Sequence, residues 1–420
     1  MTEQKQYGAD LVVDSLINHD IDYVFGIPGA KIDRIFDTLE DKGPQLIVAR
    51  HEQNAAFMAQ GIGRITGTPG VVITTSGPGV SNLATGLVTA TDEGDPVLAI
   101  SGQVKRADLL KRSHQSMKNV AMMEPVTKYA VEVHEPDTLS ETIANAYRVA
   151  KSGKRGASFV SIPQDVTDSL VSVKAIKPLT DPQLGSASVG DINYLAQAIR
   201  NADLPVLLLG NGASTRAVTK SIRKLLDAVK LPVVETFQGA GIVSRELEED
   251  TFFGRVGLFR NQPGDMLLKK ADLVIAIGYD PIEYEARNWN AEISARIIVI
   301  DVAQAEIDTY FQPERELIGN IADTIDLLLP AVNGYVLTKA SVDYLQNLKK
   351  NVVEDVKFDR NSKEGLVHPL DVIDVLQENT TDDMTVTVDV GSHYIWMARY
   401  FKSYEARHLS LIHISEPTRP

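Results

Sequence analysis

Short apolar runs alternate with longer amphipathic stretches along the first part of the chain. The predicted strands are 23–25, 46–48, 71–75, 97–101 and 159–163, and the predicted helices between the early strands are 7–19, 30–40, 52–66 and 80–91. Alternation of strands and helices predicts a parallel sheet that carries helices on both faces. The pattern therefore indicates an α/β, doubly wound first domain.

A second α/β series follows the stretch 166–188, where periodicity is lost and Pro, Ser and Thr accumulate as in a linker. Its predicted strands are 205–209, 232–235, 273–277 and 297–301, with a turn at Gly210-Asn211-Gly212 and a helix at 214–229. The charged stretch 340–360 has a helical pattern and suits a connector. A third unit then begins, with a predicted helix at 369–378 and a predicted strand at 384–390.

These patterns divide the chain into successive doubly wound parallel-sheet domains, the third incomplete. The predicted segments are a domain at 1–165, a linker at 166–188, a domain at 189–345, a connector at 346–367, the start of a third domain at 368–408 and a tail at 409–420. The stretch 411–420 continues neither a helix nor a strand pattern and resembles the translated read-through of a sequencing-library adapter. We expect the natural sequence to stop near His408.

Composition excludes several classes of protein. The chain has 42 Lys and Arg against 56 Asp and Glu, a net charge of −14, and a chain this acidic repels a nucleic-acid backbone. It has no cysteine, which excludes disulfides, thiolate metal sites and a cysteine nucleophile. No apolar run approaches the roughly 20 residues of a membrane helix, and the polar start at 1–6 lacks a signal core. We therefore expect a cytoplasmic protein without nucleic-acid or membrane partners.

Three loops after predicted strands carry candidate chemistry. In Gly26-Ile27-Pro28-Gly29 the last glycine leaves room for a ligand to approach the backbone, although an ordinary turn is the alternative. The stretch from Thr74 to Asn82 places N–H groups at a helix start, where they can hold an anion or a polar ring, but it is no P-loop. Glu52 lies in the first turn of a predicted helix, where it is either a partner of the helix dipole or a functional carboxylate.

Further motifs could belong to a functional site, but each also has a simpler structural explanation. His114-Gln115-Ser116-Met117 is either a site loop or solvated surface. The turn Gly210-Asn211-Gly212 could hold a nucleotide at a topological switch point, but it lacks the dinucleotide fingerprint. The run 283–289 is predicted to form a half-exposed helix face. The chain has no H-E-x-x-H, G-x-S-x-G or Gly-Asp-Gly motif, which argues against common metalloproteases and serine hydrolases.

Taken in order, these stretches resemble the thiamine diphosphate-dependent acetolactate synthases. The matching pieces are Gly26–Gly29, Arg50–Ala56, Thr75–Asn82, Asp92–Val97 and Gly391–His393. The likeness runs from about residue 7 to 408. It is closest to the catabolic, flavin-independent branch, because of Gly29-Ala30-Lys31-Ile32-Asp33 and His114-Gln115-Ser116-Met117.

The resemblance implies the decarboxylating condensation of two pyruvates to 2-acetolactate and CO2, by a homodimer or homotetramer. Glu52 would be the carboxyl group bonded to N1′ of the cofactor's aminopyrimidine, and Lys31 and Gln115 would contact pyruvate. The first domain would bind the pyrimidine and the third the diphosphate. The implied cofactor-binding residues are Pro28, Gly29, Thr75, Gly77, Pro78 and Asn82 on the pyrimidine side and Gly391, Ser392 and His393 on the diphosphate side.

The resemblance also sets expectations for the other cofactors. The family's Mg²⁺ motif, Gly-Asp-Gly with a downstream Asn, does not occur here, so no metal ligand is predicted and the chain as written is expected to be inactive. FAD is not expected, because Tyr279-Asp280-Pro281-Ile282-Glu283 stands where the anabolic branch has Arg-Phe-Asp-Asp-Arg.

Three alternatives remain open at this stage. The first is another thiamine diphosphate-dependent decarboxylase or carboligase that acts on a different 2-oxo acid. The second is a non-catalytic short form that binds a full-length subunit. The third is a Rossmann-type nucleotide-binding protein, based on Gly210-Asn211-Gly212.

Overall fold

The structure of the protein is a computed structural model that describes residues 6–257, 262–359, 366–389 and 391–410. The stretch 411–420, which we expect to be non-native, and the polar start at 1–5 lie outside the described residues. The chain forms two compact units, Met1–Pro182 and Gln183–Pro420, and each is described by itself. Within the described ranges, no helix combines the length and apolar character needed to cross a membrane.

Within its described residues, 6–182, the first unit has six strands and seven α-helices. The strands are β1 (Tyr23–Gly26), β2 (Gln45–Val48), β3 (Gly70–Thr74), β4 (Val97–Gln103), β5 (Tyr129–Glu132) and β6 (Ala157–Pro163). The helices are α1 (Gly8–Asn18), α2 (Asp33–Asp41), α3 (Glu52–Thr66), α4 (Pro78–Asp92), α5 (Asn119–Met123), α6 (Leu139–Lys151) and α7 (Gln164–Thr167).

All six strands form one parallel sheet in the order β2-β1-β3-β4-β6-β5. Every residue of the central strands β3 and β4 is buried, because helices cover both faces of the sheet. Ala56 in α3 and Gly86 in α4 bring these two helices together, since a Cβ atom on Gly86 would lie only 2.5 Å from the Ala56 Cβ. This close packing brings polar side chains at the start of the two helices within reach of each other.

The second unit contains a second six-stranded sheet and a small two-stranded one. The strands are β7 (Pro205–Leu209), β8 (Val233–Glu235), β9 (Phe252–Arg255), β10 (Leu273–Ile277), β11 (Arg296–Asp301), β12 (Arg315–Ile318), β13 (Val386–Thr387) and β14 (Leu409–Ser410). The helices are α8 (Val189–Asn201), α9 (Arg216–Val229), α10 (Arg245–Thr251), α11 (Pro263–Lys270), α12 (Ile321–Val332), α13 (Lys339–Asp359), α14 (Pro369–Glu378) and α15 (Ser392–Tyr400).

The larger sheet is parallel throughout, with the order β12-β11-β10-β7-β8-β9. Strands β7 and β10 lie at its centre and are fully buried. The residues after position 366 pack against this domain through an apolar cluster in which Phe237 lies 5.4 Å from Tyr394 between ring centroids. The α/β class of successive parallel-sheet domains is thereby confirmed.

Several predicted elements differ from the observed ones. The strand predicted at 384–390 is wrong in extent. Val386 and Thr387 pair with the two residues of β14, and the Val388 N–H donates to the Ser410 carbonyl at 2.9 Å; Val390 lies outside the described residues. The helix predicted at 30–40 begins only at Asp33. The run 283–289 is no helix face: it contains only a 3₁₀ turn at Ala286–Asn288, and Trp289 is buried.

Candidate functional site

The first sheet has a topological switch point between β1 and β3. From β1 the chain moves outward to β2 and then returns to the other side of β1 to form β3. The loops that leave β1 and β3 therefore diverge, and in open α/β sheets ligands bind in the crevice at such a point. The predicted residues Pro28, Gly29 and Thr75 follow these two strands.

Gly29 and Thr75 form the floor of this crevice. A Cβ atom on Gly29 would lie 2.7 Å from the Cβ of Thr75, which is closer than two non-bonded carbon atoms can approach. Only glycine lets the two loops meet at this distance. Pro28 beside it is exposed, and Pro78 is the exposed first residue of α4.

Glu52 is the first residue of α3, next to the crevice. The ring of His51 accepts a hydrogen bond from the Gln53 N–H and so caps the helix. This cap makes Glu52 the first helical residue. The Asn82 amide in α4 donates a 2.9 Å hydrogen bond to Glu52 Oε2. Asn82 is the only hydrogen-bond partner of this carboxylate among the described residues. Glu52 is half-buried, and its Oε1 is therefore left for another donor.

The loop that carries Gln115 is fixed over the end of β3. Gln115 has a left-handed backbone, φ 63°, and a Cβ on Gly77 would lie 3.1 Å from its Cα. The Gln103 amide donates to the Met117 carbonyl at 2.9 Å, and the buried Asn119 amide donates to the Gly102 carbonyl at 3.1 Å. These contacts hold Gln115 half-buried beside Gly77.

Lys31 lies next to the end of β4. A Cβ on Gly102 would lie 3.0 Å from the Lys31 Cβ. The hydrogen bond and charge of Lys111 lower the pKa of Asp108, and the charges of Lys105 and Lys31 lower it further. The positive charge of Lys31 therefore acts on a carboxylate in this part of the unit, and it can act likewise on a small anion.

Four buried hydroxyl groups near the ends of β3 and β4 have no hydrogen-bond partner within the described ranges. They are those of Thr74, Thr75, Ser76 and Ser101. An unpaired buried hydroxyl costs free energy, so such a cluster fits a polar ligand that satisfies it. The sequence assigned a cofactor-binding role to Thr75 alone, although Thr74 and Ser76 lie in the same candidate loop. Polar residues at the ends of wholly buried strands are the signal that could have found the others.

The structure thus brings the first-unit residues together in pairs: Glu52 with Asn82, Gly29 with Thr75, and Gln115 with Gly77. Gly391, Ser392 and His393 lie at the exposed start of α15 in the second unit. Within the ranges that the structure describes, no group of three or more His, Cys, Asp or Glu side chains could hold a metal ion.

Comparison with known proteins relates this crevice to a family. Residues 6–122 match the model of the thiamine pyrophosphate enzyme N-terminal TPP-binding domain, and residues 192–328 match that of the central domain. The chain is 50% identical over 401 residues to "Acetolactate synthase" of Bacillus subtilis, covering 96% of this chain and 70% of that protein. The chain belongs to the acetolactate synthase family.

Other members of the family are also similar. The chain is 44% identical over 409 residues to "Acetolactate synthase, catabolic" of Raoultella terrigena, covering 97% of this chain and 73% of that protein. It is 29% identical over 409 residues to "Probable acetolactate synthase large subunit" of Methanocaldococcus jannaschii, covering 94% of this chain and 68% of that protein. Glu52, Lys31 and Gln115 all lie in the range that matches the family's N-terminal TPP-binding domain.

Proposed function

We propose that this site takes part in the decarboxylating condensation of two pyruvates to 2-acetolactate and CO2. The observation that carries the proposal is the Glu52 carboxylate, which is held at the switch point by Asn82 with one oxygen open. Membership of the acetolactate synthase family supports the same reaction. Pyruvate is an anion, and the positive charge of Lys31 favours it over neutral substrates.

The crevice suits the pyrimidine ring of thiamine diphosphate. When bound, that cofactor supplies the electron sink for decarboxylation of a 2-oxo acid. Gly29 and Gly77 let the loops of the crevice pack closely against Thr75 and Gln115, and the unpaired hydroxyl of Thr75 offers a bound ring a polar contact. Pro28 and Pro78 border the crevice on its exposed side.

Each polar side chain has its own role in this proposal. Glu52 would hold a proton shared with a ring nitrogen of the bound cofactor, and Asn82 keeps the carboxylate in position. Gln115 and Lys31 bind and orient the pyruvate carboxylate, by amide donation and by charge. Gly391, Ser392 and His393 begin the diphosphate side, contributed by another copy of the chain in a homodimer or homotetramer.

The remaining cofactor assignments are proposals as well. Mg²⁺ belongs to the proposed holoenzyme, but the described residues provide no ligand cluster for it, and no step is assigned to it. We propose that FAD is not used. This is supported by the similarity to the catabolic relative and by the run Tyr279–Glu283 in the middle domain.

The reaction is tested with a fusion enzyme, in which residues 1–408 are joined to the C-terminal part of the Bacillus subtilis relative that this chain does not cover. Pyruvate, thiamine diphosphate and Mg²⁺ are supplied, and the products are identified. We expect 2-acetolactate and CO2 without added FAD. Acetaldehyde or acetate without acetolactate would instead favour another 2-oxo acid enzyme. The Bacillus subtilis protein, prepared in parallel, is the control. If it is active and the fusion enzyme forms no product, the proposal is contradicted.

A further inference from the structure

One face of the first sheet changes from apolar to polar just before its strands end. The apolar level is a register row with one residue on each of β3, β4, β6 and β5, and its members are Val72, Ala99, Phe159 and Ala130. Two positions further along the same strands, and therefore on the same face, lies a polar row made of Thr74, Ser101, Ser161 and Glu132. Glu132 is the only ionisable member of this row, and the packing of the core does not require a carboxylate there.

The Glu132 carboxylate is directed inward from the edge strand β5. Its side chain is only 17% exposed, and its Oε2 accepts hydrogen bonds from the Gln103 amide at 3.2 Å and from the Ser161 hydroxyl at 3.1 Å. Its other oxygen faces the exposed His134 ring, whose Nε2 lies 3.8 Å from Oε1. Among the described residues, no Lys or Arg forms an ion pair with Glu132. The inner oxygen therefore serves as an acceptor for two neighbouring side chains.

Both neighbours of this carboxylate hold the loop between β4 and α5. The Gln103 amide nitrogen that donates to the carboxylate also donates to the Met117 carbonyl at 2.9 Å. The Ser161 hydroxyl, which donates to the same carboxylate oxygen, accepts a 3.3 Å hydrogen bond from the Asn119 amide. Two short arms therefore run from one oxygen to the loop, and they reach it two and four residues after Gln115.

The carboxylate also sets which way the Gln103 amide is turned. Gln103 Oε1 accepts a hydrogen bond from the Val104 N–H at 2.9 Å, and Nε2 faces Glu132 Oε2. An ionised carboxylate can only accept hydrogen bonds, so the reversed amide would place its oxygen against another acceptor. Glu132 thereby keeps the donor of Gln103 on the Met117 carbonyl.

The loop requires such support because its backbone at Gln115 is in the left-handed region, with φ 63°. A residue other than glycine adopts this conformation at a cost in free energy, and it persists only where the surrounding contacts enforce it. The two arms from Glu132 supply contacts of this kind next to the strained residue.

We propose that Glu132 is a positioning residue for Gln115. It fixes the loop through Gln103 and Ser161 and so presents the Gln115 amide to pyruvate. The inference deepens the proposed function and rests on the role of Gln115 in it.

The test measures pyruvate kinetics in the fusion enzyme that contains residues 1–408. Glu132→Ala removes the acceptor, and Glu132→Leu removes it while keeping most of the side-chain volume. Glu132→Gln keeps the acceptor, because its amide oxygen can take both hydrogen bonds that now go to Oε2. Glu135→Ala is the matched control, at an exposed glutamate three positions further along the chain.

We expect Glu132→Ala and Glu132→Leu to raise the KM for pyruvate about 5- to 20-fold with little change in kcat, because a substrate contact is misplaced and no reacting group is lost. The thiamine diphosphate concentration for half-maximal activity should stay the same, whereas a general loss of structure would raise it as well. Glu132→Gln and Glu135→Ala should keep the KM of the parent. An unchanged KM in Glu132→Leu would overturn the proposal, even if Glu132→Ala does not fold, and so would a Glu132→Gln enzyme as impaired as Glu132→Leu.

A double variant tests whether Glu132 acts through Gln115. Gln115→Ala should raise the KM for pyruvate at least as much as Glu132→Leu does. The double variant Gln115→Ala/Glu132→Leu should match Gln115→Ala alone, because the effects of residues that act through one another do not add. A double variant whose KM is raised by the product of the two single effects would overturn the proposal.

The hold on the loop is also measured without catalysis. Amide hydrogen exchange of the stretch 113–119 is followed by mass spectrometry on the full chain. We expect faster exchange in Glu132→Leu than in the parent, Glu132→Gln and Glu135→Ala. Equal exchange in all four proteins would overturn the proposal. If the parent fusion enzyme forms no acetolactate, the proposed function fails, and the exchange measurement alone decides whether Glu132 holds the loop.

Discussion

Gly29 and Thr75 lie in contact although 45 positions separate them in sequence, and a Cβ on Gly29 would lie 2.7 Å from the Thr75 Cβ. The contact closes the floor of the switch-point crevice between the loops after β1 and β3. Any larger residue at position 29 would push these loops apart. The shape of the proposed pyrimidine site therefore depends on this glycine.

Gly29→Ala is expected to lower the free energy of unfolding of the first unit by about 1–3 kcal/mol, as overpacking does. Gly61→Ala is the matched control, because a Cβ at Gly61, inside α3, meets nothing within 4 Å. That change should stabilise the helix by about 0.5–1 kcal/mol. Urea unfolding followed by circular dichroism measures both. A similar effect of the two substitutions would contradict this account of the crevice.

The stability of the second unit is expected to fall as the pH rises from about 4.5 to about 7. Burial raises the pKa of Glu283 to about 7, so the folded unit holds a proton that the unfolded chain has already lost. The loss for this group is about 3 kcal/mol across that interval. Glu283→Gln should remove this loss of stability. The pH dependence that remains should be that of Glu235, whose pKa burial also raises to about 7.

Tryptophan fluorescence measures this effect selectively, because both tryptophans of the chain, Trp289 and Trp396, lie in the second unit. Urea unfolding is compared between mildly acidic and mildly alkaline buffer for the parent and for Glu283→Gln. A parent whose stability does not change with pH, or a variant with the full pH dependence, would show that burial does not raise this pKa.

Arg255 and Glu235 form a buried pair, with 3.9 Å between Nε and Oε2. Arg255 also donates to the carbonyls of Ala398 and Phe401 and so holds the end of α15. In alkaline buffer, where Glu235 is ionised, Arg255→Met would leave its buried charge without the paired cation, and we expect a loss of about 3–5 kcal/mol. The double variant Glu235→Met/Arg255→Met should be more stable than this single variant. A double variant of lower stability would contradict this assignment.

Strong periodicity made parts of the fold predictable. The helix predicted at 52–66 is α3, and the one predicted at 369–378 is α14. Both begin after a capping histidine. The edge strand β5 was not predicted, because Tyr129–Glu132 is half-buried along its whole length and shows no alternation.

The site was predictable only where the chain order brings residues to one sheet edge. Thr75 and Gly29 follow adjacent strands, so sequence reasoning could place them near each other. The hydrogen bond from Asn82 to Glu52 depends on the close packing of α3 and α4. The hydrogen bonds from Gln103 and Asn119 depend on the path of the loop that connects β4 to α5. Such contacts arise from tertiary structure and leave no local pattern.

The role of Glu52 is the central claim, and one measurement tests it most directly. Acetolactate formation from pyruvate is compared in the fusion enzyme, its Glu52→Gln variant and its Glu40→Gln variant, a control at an exposed glutamate. Glutamine keeps the shape of the side chain but cannot hold the proton. We predict that Glu52→Gln lowers kcat by about 100- to 10,000-fold with an unchanged melting temperature, and that Glu40→Gln keeps full activity. A Glu52→Gln enzyme as active as its parent would contradict the account.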